Sequence, residues 1–370
     1  MKDYVKQSLK LVMTSFYIAM SVLLLITTIT SFGTNKLLRI EPVDALIQQI
    51  EAESLLALLM VENQALTKPE KKLADRVIDY MKSIDETMLF GGAIPHISQH
   101  TGKILKAGEG STYLTMSKDT TPDISTLMGE RKANQDRVAE LEQWKEAVTK
   151  EEEVSLPTSK TVHIVHTHNR ESFYPELEAG AEAFHKDVNI TLAGERLALQ
   201  LKEHGINAMV ETTDIGQMLQ DRGLGYSKSY EMSREVVTQA IADEPTLTFF
   251  LDLHRDSQPK AITTATINGQ SYAKLMFVIG ENNPNYEKNE QFALRLHNEV
   301  ETIMPGISRG IYAPPVKASG RNGVYNQDLS ENAVLIEIGG VDNSLEEVYR
   351  AVDVFAKAFA KQLTLMEEEN

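Results

Sequence analysis

Apolar and polar positions fall into three textures along this chain. From Leu11 to Asn35 no charged residue occurs, and Leu11 to Ile29 is dense in Leu, Ile, Val and Met. About 20 apolar residues cross a bilayer as a helix, so this run predicts a transmembrane anchor. Lys2, Lys6 and Lys10 precede it against a single Asp3. An excess of lysine marks the cytoplasmic flank, which puts the N-terminus inside and everything after Lys36 outside the cytoplasmic membrane. Lys36 and Arg39 on the far side reduce that asymmetry without reversing it. A cleaved signal peptide is the alternative. Its apolar core is usually only about 7–15 residues and is followed by an Ala-x-Ala site, which is missing here.

The second texture has helical period. Val43 to Val61 carries apolar residues at helix spacing among Gln and Glu, and Lys68-Pro69-Glu70 breaks it. A further helix follows, with Leu73, Val77, Ile78 and Met81 on one face. Phe90 to Pro95 forms a turn, residues 128–149 predict a helix, and Glu151 to Ser159 reads as a linker. The expected division is 1–36 cytoplasmic N-terminus and anchor, 37–159 helical spacer, and 160–370 catalytic domain.

From Lys160 the pattern changes again. Strands are predicted at Thr161–Val165, Ile206–Val210, Thr246–Leu253, Ala273–Gly280 and Ala333–Ile338. Helices are predicted after Asn189, over Ser233–Ala242, over Gln291–Met304 and over Leu345–Leu365. Alternation of strands with helices predicts an α/β fold: a mixed, largely parallel sheet flanked by helices on both faces. Near-continuous apolar runs such as Leu247 to Leu251 suit its buried centre.

Composition narrows the chemistry. The chain has 370 residues and no cysteine, which excludes disulfides, thiolate metal sites and a cysteine nucleophile. A net charge of −16 with no basic stripe argues against nucleic-acid binding.

The candidate chemistry sits at strand ends, where open α/β sheets bind ligands. His168 and Glu171 are three apart in His166-Thr167-His168-Asn169-Arg170-Glu171, His254 lies in Leu253-His254-Arg255-Asp256, and Glu337 lies in an apolar run. Imidazole nitrogen and carboxylate oxygen are good zinc ligands, and a catalytic zinc needs only three from the protein. The expected set is His168, Glu171 and His254 on Zn2+, with Glu337 as general base. A carboxylate buried in an apolar strand is costly unless paired or bound to metal, which singles out Glu337. His166 competes with His168, because residues i and i+2 of a strand point the same way. His185, on the loop before the Asn189 helix, is a further candidate ligand. Arg255 and Asn326 are candidate substrate contacts, with Arg255 and Asp256 able instead to fix their loop. His163, His204 and His297 read as structural.

At these residues the chain resembles the stage II sporulation protein P family of endospore-forming bacteria. The matching stretches are His166 to Phe173, Asn189-Ile190-Thr191, Leu253 to Asp256, Phe277 to Gly280, Pro305 to Gly310, Tyr325 to Ser330 and Leu335 to Gly340, in order across nearly all of 160–366. The resemblance implies a cell-wall hydrolase, similar to zinc N-acetylmuramoyl-L-alanine amidases and to the zinc carboxypeptidase fold. It also implies peptide cross-link cleavage, a peptidoglycan substrate, action at the septal and forespore membranes during engulfment, and a complex with stage II sporulation proteins D and M. One departure concerns the metal. Such amidases take their carboxylate ligand from just before the helix, where His185-Lys186-Asp187 stands here without a glutamate, so that role passes to Glu171. Two alternatives are a zinc carboxypeptidase-type enzyme trimming stem peptides and a non-enzymatic wall-binding scaffold.

Overall fold

The computed structural model describes residues 102–117, 121–129, 131–140, 156–180, 182–315 and 323–369. The membrane helix expected within 11–35 and the helices expected over 40–90 lie outside these residues. Among the described residues no helix is long and apolar enough to cross a membrane.

Among the described residues the strands are β1 (Lys103–Ala107), β2 (Val162–Val165), β3 (Ala208–Val210), β4 (Phe249–Asp256), β5 (Thr264–Ile267), β6 (Gln270–Ala273), β7 (Leu275–Val278), β8 (Ser308–Ala313) and β9 (Asn332–Gly340). Seven of them form one sheet in the order β1-β8-β7-β9-β4-β2-β3, and β5 pairs with β6 as a hairpin. The β3–β2, β2–β4, β4–β9 and β7–β8 pairings are parallel, while β7–β9 and β1–β8 are antiparallel. The sheet is therefore mixed and mostly parallel, as the alternation of elements predicts. The principal helices are α1 (Thr191–Glu203), α2 (Ile215–Asp221), α3 (Ser229–Asp243), α4 (Tyr286–Ile303) and α5 (Leu345–Glu369).

The two faces of the sheet are separated by strand parity. Val162, Ile164, Leu251, Leu253, Val334 and Ile336 point to one face and pack there in one core with α1, α4 and α5. The α5 helix buries Val348, Val352, Phe355 and Phe359, a stripe at three- and four-residue spacing that turns one face inward. The opposite parity places Val165, Phe250 and Ala333 against Val237 and Ala240 of α3. It also places Met276, Val278 and Leu335 against Tyr230, Tyr325 and Met116. Asp252, His254 and Glu337 share this second face.

Several elements differ from the sequence expectation. Residues 103–107 fall in the stretch read as spacer, yet β1 is the edge strand of the main sheet. Its alternation is blurred by Lys103 and Lys106, the kind of residue that edge strands carry against unwanted pairing. The β4 strand runs past Leu253 to Asp256, so its last buried residues are charged. The single strand expected over Ala273–Gly280 is divided at Lys274 into the end of β6 and β7. The β8 strand was not legible because Arg309 and Gly310 interrupt its apolar pattern. At Gly310 the φ is +105°, and a Cβ there would come within 2.0 Å of the Lys106 carbonyl oxygen, so only glycine lets β1 approach.

Strand direction decides what else reaches the site. Because β1 runs antiparallel to β8 and parallel in sense to β9, residues after Ala107 leave the sheet at the edge where β4 and β9 end. At that edge Arg309 of β8 donates to Asp256 of β4 at 2.7 Å, with side chains 2 % and 0 % exposed. Asp256 also accepts the Gln258 backbone N–H at 3.0 Å. Removing one partner of such a pair strands a buried charge. Asp256→Ala should lower stability by about 3–5 kcal/mol in urea unfolding, and a loss under about 1 kcal/mol would show that Arg309 finds other partners.

Candidate active site

The site forms where the chain leaves β2. The strand ends at Val165, and residues 167–170 form a turn. Turn geometry ends the two-residue alternation, so His166 and His168 diverge instead of sharing a face. His166 lies against α1: a Cβ on Gly194 would be 2.3 Å from its Nε2. It is 2 % exposed, and burial pushes it down to about 4, so it is a neutral imidazole. His168 turns to the other side, its ring centroid 5.0 Å from that of His254 at 89°. It stacks on Tyr226 at 4.4 Å and meets Tyr230 edge-on at 5.4 Å. The two histidines therefore part: His168 lies beside His254, and His166 lies against α1.

The turn closes with Glu171. Its N–H donates to the His168 carbonyl oxygen at 3.0 Å, and its own carbonyl accepts from Ile190 N at 2.8 Å. That second bond ties the turn to the start of α1. The Glu171 carboxylate accepts the Arg255 N–H at 2.9 Å and lies 3.9 Å from His254 Nδ1. His254 Nε2 lies 3.0 Å from Asp252 Oδ1. Asp252 is held in place by Thr167, whose N–H donates at 2.9 Å and whose hydroxyl donates at 2.7 Å.

Glu337 arrives from β9. In the parallel register of β4 and β9, His254 stands opposite Glu337, so the two side chains share a face on neighbouring strands. Ser117 Oγ donates to Glu337 Oε1 at 2.7 Å. The set is enclosed: His254 and Glu337 are 2 % exposed, Glu171 5 % and His168 9 %.

Electrostatics distinguish the two imidazoles. Burial alone pushes His254 down, but Asp252, with Glu171 and Glu337 behind it, overrides burial and raises it to about 10. Burial likewise lowers His168 well below its usual value, reinforced by His254. Burial raises Asp252, but His254 and the Thr167 donors outweigh it and hold the carboxyl low. One imidazole is thus surrounded by three carboxylates, while its neighbour is neutral with a lone pair available.

These residues fit a zinc ion in donor type. His168 Nδ1 is buried with no hydrogen-bond partner among the described residues. His254 Nδ1 and Glu171 Oε2, at 3.9 Å, are a little wider than the roughly 3.3 Å between donors of a tetrahedral zinc. Among the described residues no group of three His, Asp or Glu side chains is closed tightly enough to hold an ion as it stands.

The remaining candidates hold the frame. His185 Nδ1 accepts the N–H groups of Asp187 and Val188, both at 3.0 Å. In the neutral ring its proton is then on Nε2, a donor and not a ligand. Asn189 pins that loop by donating to the His185 and Lys186 carbonyls. The Arg255 guanidinium makes long contacts to Asp256 O at 3.4 Å and Ala183 O at 3.5 Å. Asn326, left-handed at φ 56°, donates to Tyr230 O and Ser233 Oγ and so fixes its loop to α3. His163 sits 3.6 Å from Glu211, His297 Nδ1 lies 2.8 Å from Ser308 Oγ, and His204 follows the end of α1. Two residues central to the arrangement were not singled out from sequence. Asp252 could have been, as a carboxylate that follows Phe249-Phe250-Leu251 and stands two residues before His254. Ser117 carries no local signal.

A family model described as Stage II sporulation protein P matches residues 85–360. Stage II sporulation protein P of Bacillus subtilis (strain 168) is 39% identical over 293 residues, covering 77% of this chain and 72% of the relative. The chain belongs to the Stage II sporulation protein P family. Among solved structures, an N-acetylmuramoyl-L-alanine amidase from Clostridium difficile 630 is 14% identical, covers 58% of this chain and 100% of its own, and superposes with a TM-score of 0.35. The amidase Ami1 from Mycobacterium smegmatis covers the same shares at 12% identity and a TM-score of 0.33. Superpositions that loose carry no functional argument.

The His185 geometry gives a direct expectation. His185→Ala leaves two N–H groups without their acceptor and should destabilise the chain by about 1–3 kcal/mol in urea unfolding, with zinc content unchanged. Loss of zinc in this variant would make His185 a ligand after all.

Proposed function

We propose that this chain is a zinc-dependent peptidoglycan hydrolase, an N-acetylmuramoyl-L-alanine amidase that cuts the amide between the glycan lactyl group and the stem peptide. The observation that carries this reading is the buried cluster of Asp252, Glu171 and Glu337 around His254, beside a neutral His168. Such a surplus of negative charge in a low-dielectric site is stable with a cation in it and costly without one. Family membership supports the setting, sporulation, and with it a cell-wall substrate.

His168, Glu171 and His254 would hold the ion, His254 through Nδ1 with Asp252 orienting the ring from the other side. When bound, zinc supplies Lewis acidity for the amide carbonyl and makes an attacking water acidic at neutral pH. The protein's own groups do the rest. Asp252, held in place by Thr167, would orient the His254 ring. Glu337 takes the proton of the attacking water and returns it to the departing stem-peptide nitrogen. Enclosure keeps bulk water away, so these charges act at full strength. The same groups would serve for a peptide cross-link, since both linkages are amides. An N-terminal membrane helix with the site on the wall side, and association with stage II sporulation proteins D and M at the engulfing membranes, complete the proposal.

The test is made on purified peptidoglycan with mass spectrometry of the products. An amidase leaves glycan free of peptide, whereas release of single amino acids identifies a carboxypeptidase and no release identifies a scaffold. EDTA should abolish cleavage and zinc restore it. Glu337→Ala should keep stoichiometric zinc and lose at least roughly 10²–10⁴-fold in rate, while His254→Ala should lose the metal. Full activity in either variant sinks the assignment.

A further inference from the structure

We propose that Ser117 is a positioning residue for Glu337, and that Ser111–Ser117 is a fixed wall of the active site contributed from outside the stretch that carries its other residues. The inference rests on the hydrolase reading and goes beyond it in adding a residue that acts through the general base.

Topology brings the segment there. After Ala107 the chain leaves β1 at the carboxyl edge of β4 and β9, with β8 and β7 between. Three strand spacings amount to about 14 Å, well within the reach of ten residues. The segment is then fastened along its length. Ser111 Oγ donates to the Arg309 carbonyl at 2.5 Å. Gln258 Nε2 donates to the carbonyls of Leu114 at 3.0 Å and Met116 at 2.8 Å, and Arg309 donates to the Thr115 carbonyl. Both anchoring side chains are 2 % exposed, and Arg309 is itself paired with Asp256. Met116, 3 % exposed, packs among Tyr230, Tyr325, Met276 and Leu335. Releasing the segment would leave buried donors without acceptors, which makes it a permanent part of the site and not a lid.

What this fastening delivers is the Ser117 hydroxyl, 2.7 Å from Glu337 Oε1 in a buried setting. A carboxylate that takes a proton from water and returns it to a leaving nitrogen must keep one orientation through both transfers. A donor fixed on one oxygen supplies that constraint, and a serine on a rigid wall can do so without moving.

The test uses the full chain, with Ser117→Ala and Ser117→Thr assayed on purified peptidoglycan. Ser117→Ala should lower kcat roughly ten- to a hundredfold, the usual worth of a hydrogen bond to a charged group, with KM and zinc content unchanged. Ser117→Thr, which keeps the hydroxyl, should restore most of the loss. A merely structural role would instead show as lowered yield or raised KM and no rescue by threonine. Thermal unfolding of Ser117→Ala, Glu337→Ala and the variant that combines them gives a readout independent of activity. Ser117→Ala should lower the melting temperature when Glu337 is present and change it little when it is absent. Unchanged kcat in Ser117→Ala, or equal melting shifts in both backgrounds, overturns the inference. A wild-type chain that releases nothing from peptidoglycan overturns the hydrolase reading, and with it any catalytic role for Ser117.

Discussion

One strand register carries this site: His254 of β4 standing opposite Glu337 of β9. In a parallel pair, residues in register project to the same face, and a slip of one residue would turn Glu337 into the apolar core and Ile336 and Ile338 out of it. The core itself enforces the register. Leu251 and Leu253 of β4 and Val334 and Ile336 of β9 are packed into one cluster with α1, α4 and α5. The apolar side of the sheet thereby fixes the geometry of the charged side. His254 and Glu337 are held rigidly because both stand on central strands of the sheet, while His168 and Glu171 come from the turn after β2.

That arrangement concentrates charge. Asp252, His254 and Asp256 alternate along one face of β4, Glu337 adds a carboxylate from β9, and Glu171 comes from the turn after β2. Two of these are neutralised by the protein: Asp256 by Arg309, and Asp252 in part by the Thr167 donors and His254. Glu171 and Glu337 accept from neutral donors, the Arg255 N–H and the Ser117 hydroxyl.

Much of this was legible in the residues and some was not. Strand and helix alternation after Lys160 pointed to the central sheet because β2, β4 and β9 each carry a largely apolar run whose pattern does not depend on partners. The edge strand β1 and its neighbour β8 were hidden, one by lysines that suit an edge and one by Arg309 and Gly310, whose roles exist only in the paired sheet. His168, His254, Glu171 and Glu337, expected near one another from their positions at strand ends, do lie together. Which of His166 and His168 lies beside His254 could not be read, because two-residue alternation extends only as far as the strand, and the strand stops at Val165. Ser117 lay beyond sequence reasoning altogether, since its partner is 220 residues away and is met across three strand spacings.

The most direct measurement is X-ray absorption at the zinc edge on the full chain loaded with one equivalent of zinc. The account predicts a shell of two imidazole nitrogens and carboxylate oxygen, with one imidazole signal lost in His168→Ala and one in His254→Ala, and none lost in His166→Ala. A shell of three imidazoles, a shell unchanged in His168→Ala, or failure to bind zinc stoichiometrically would contradict it.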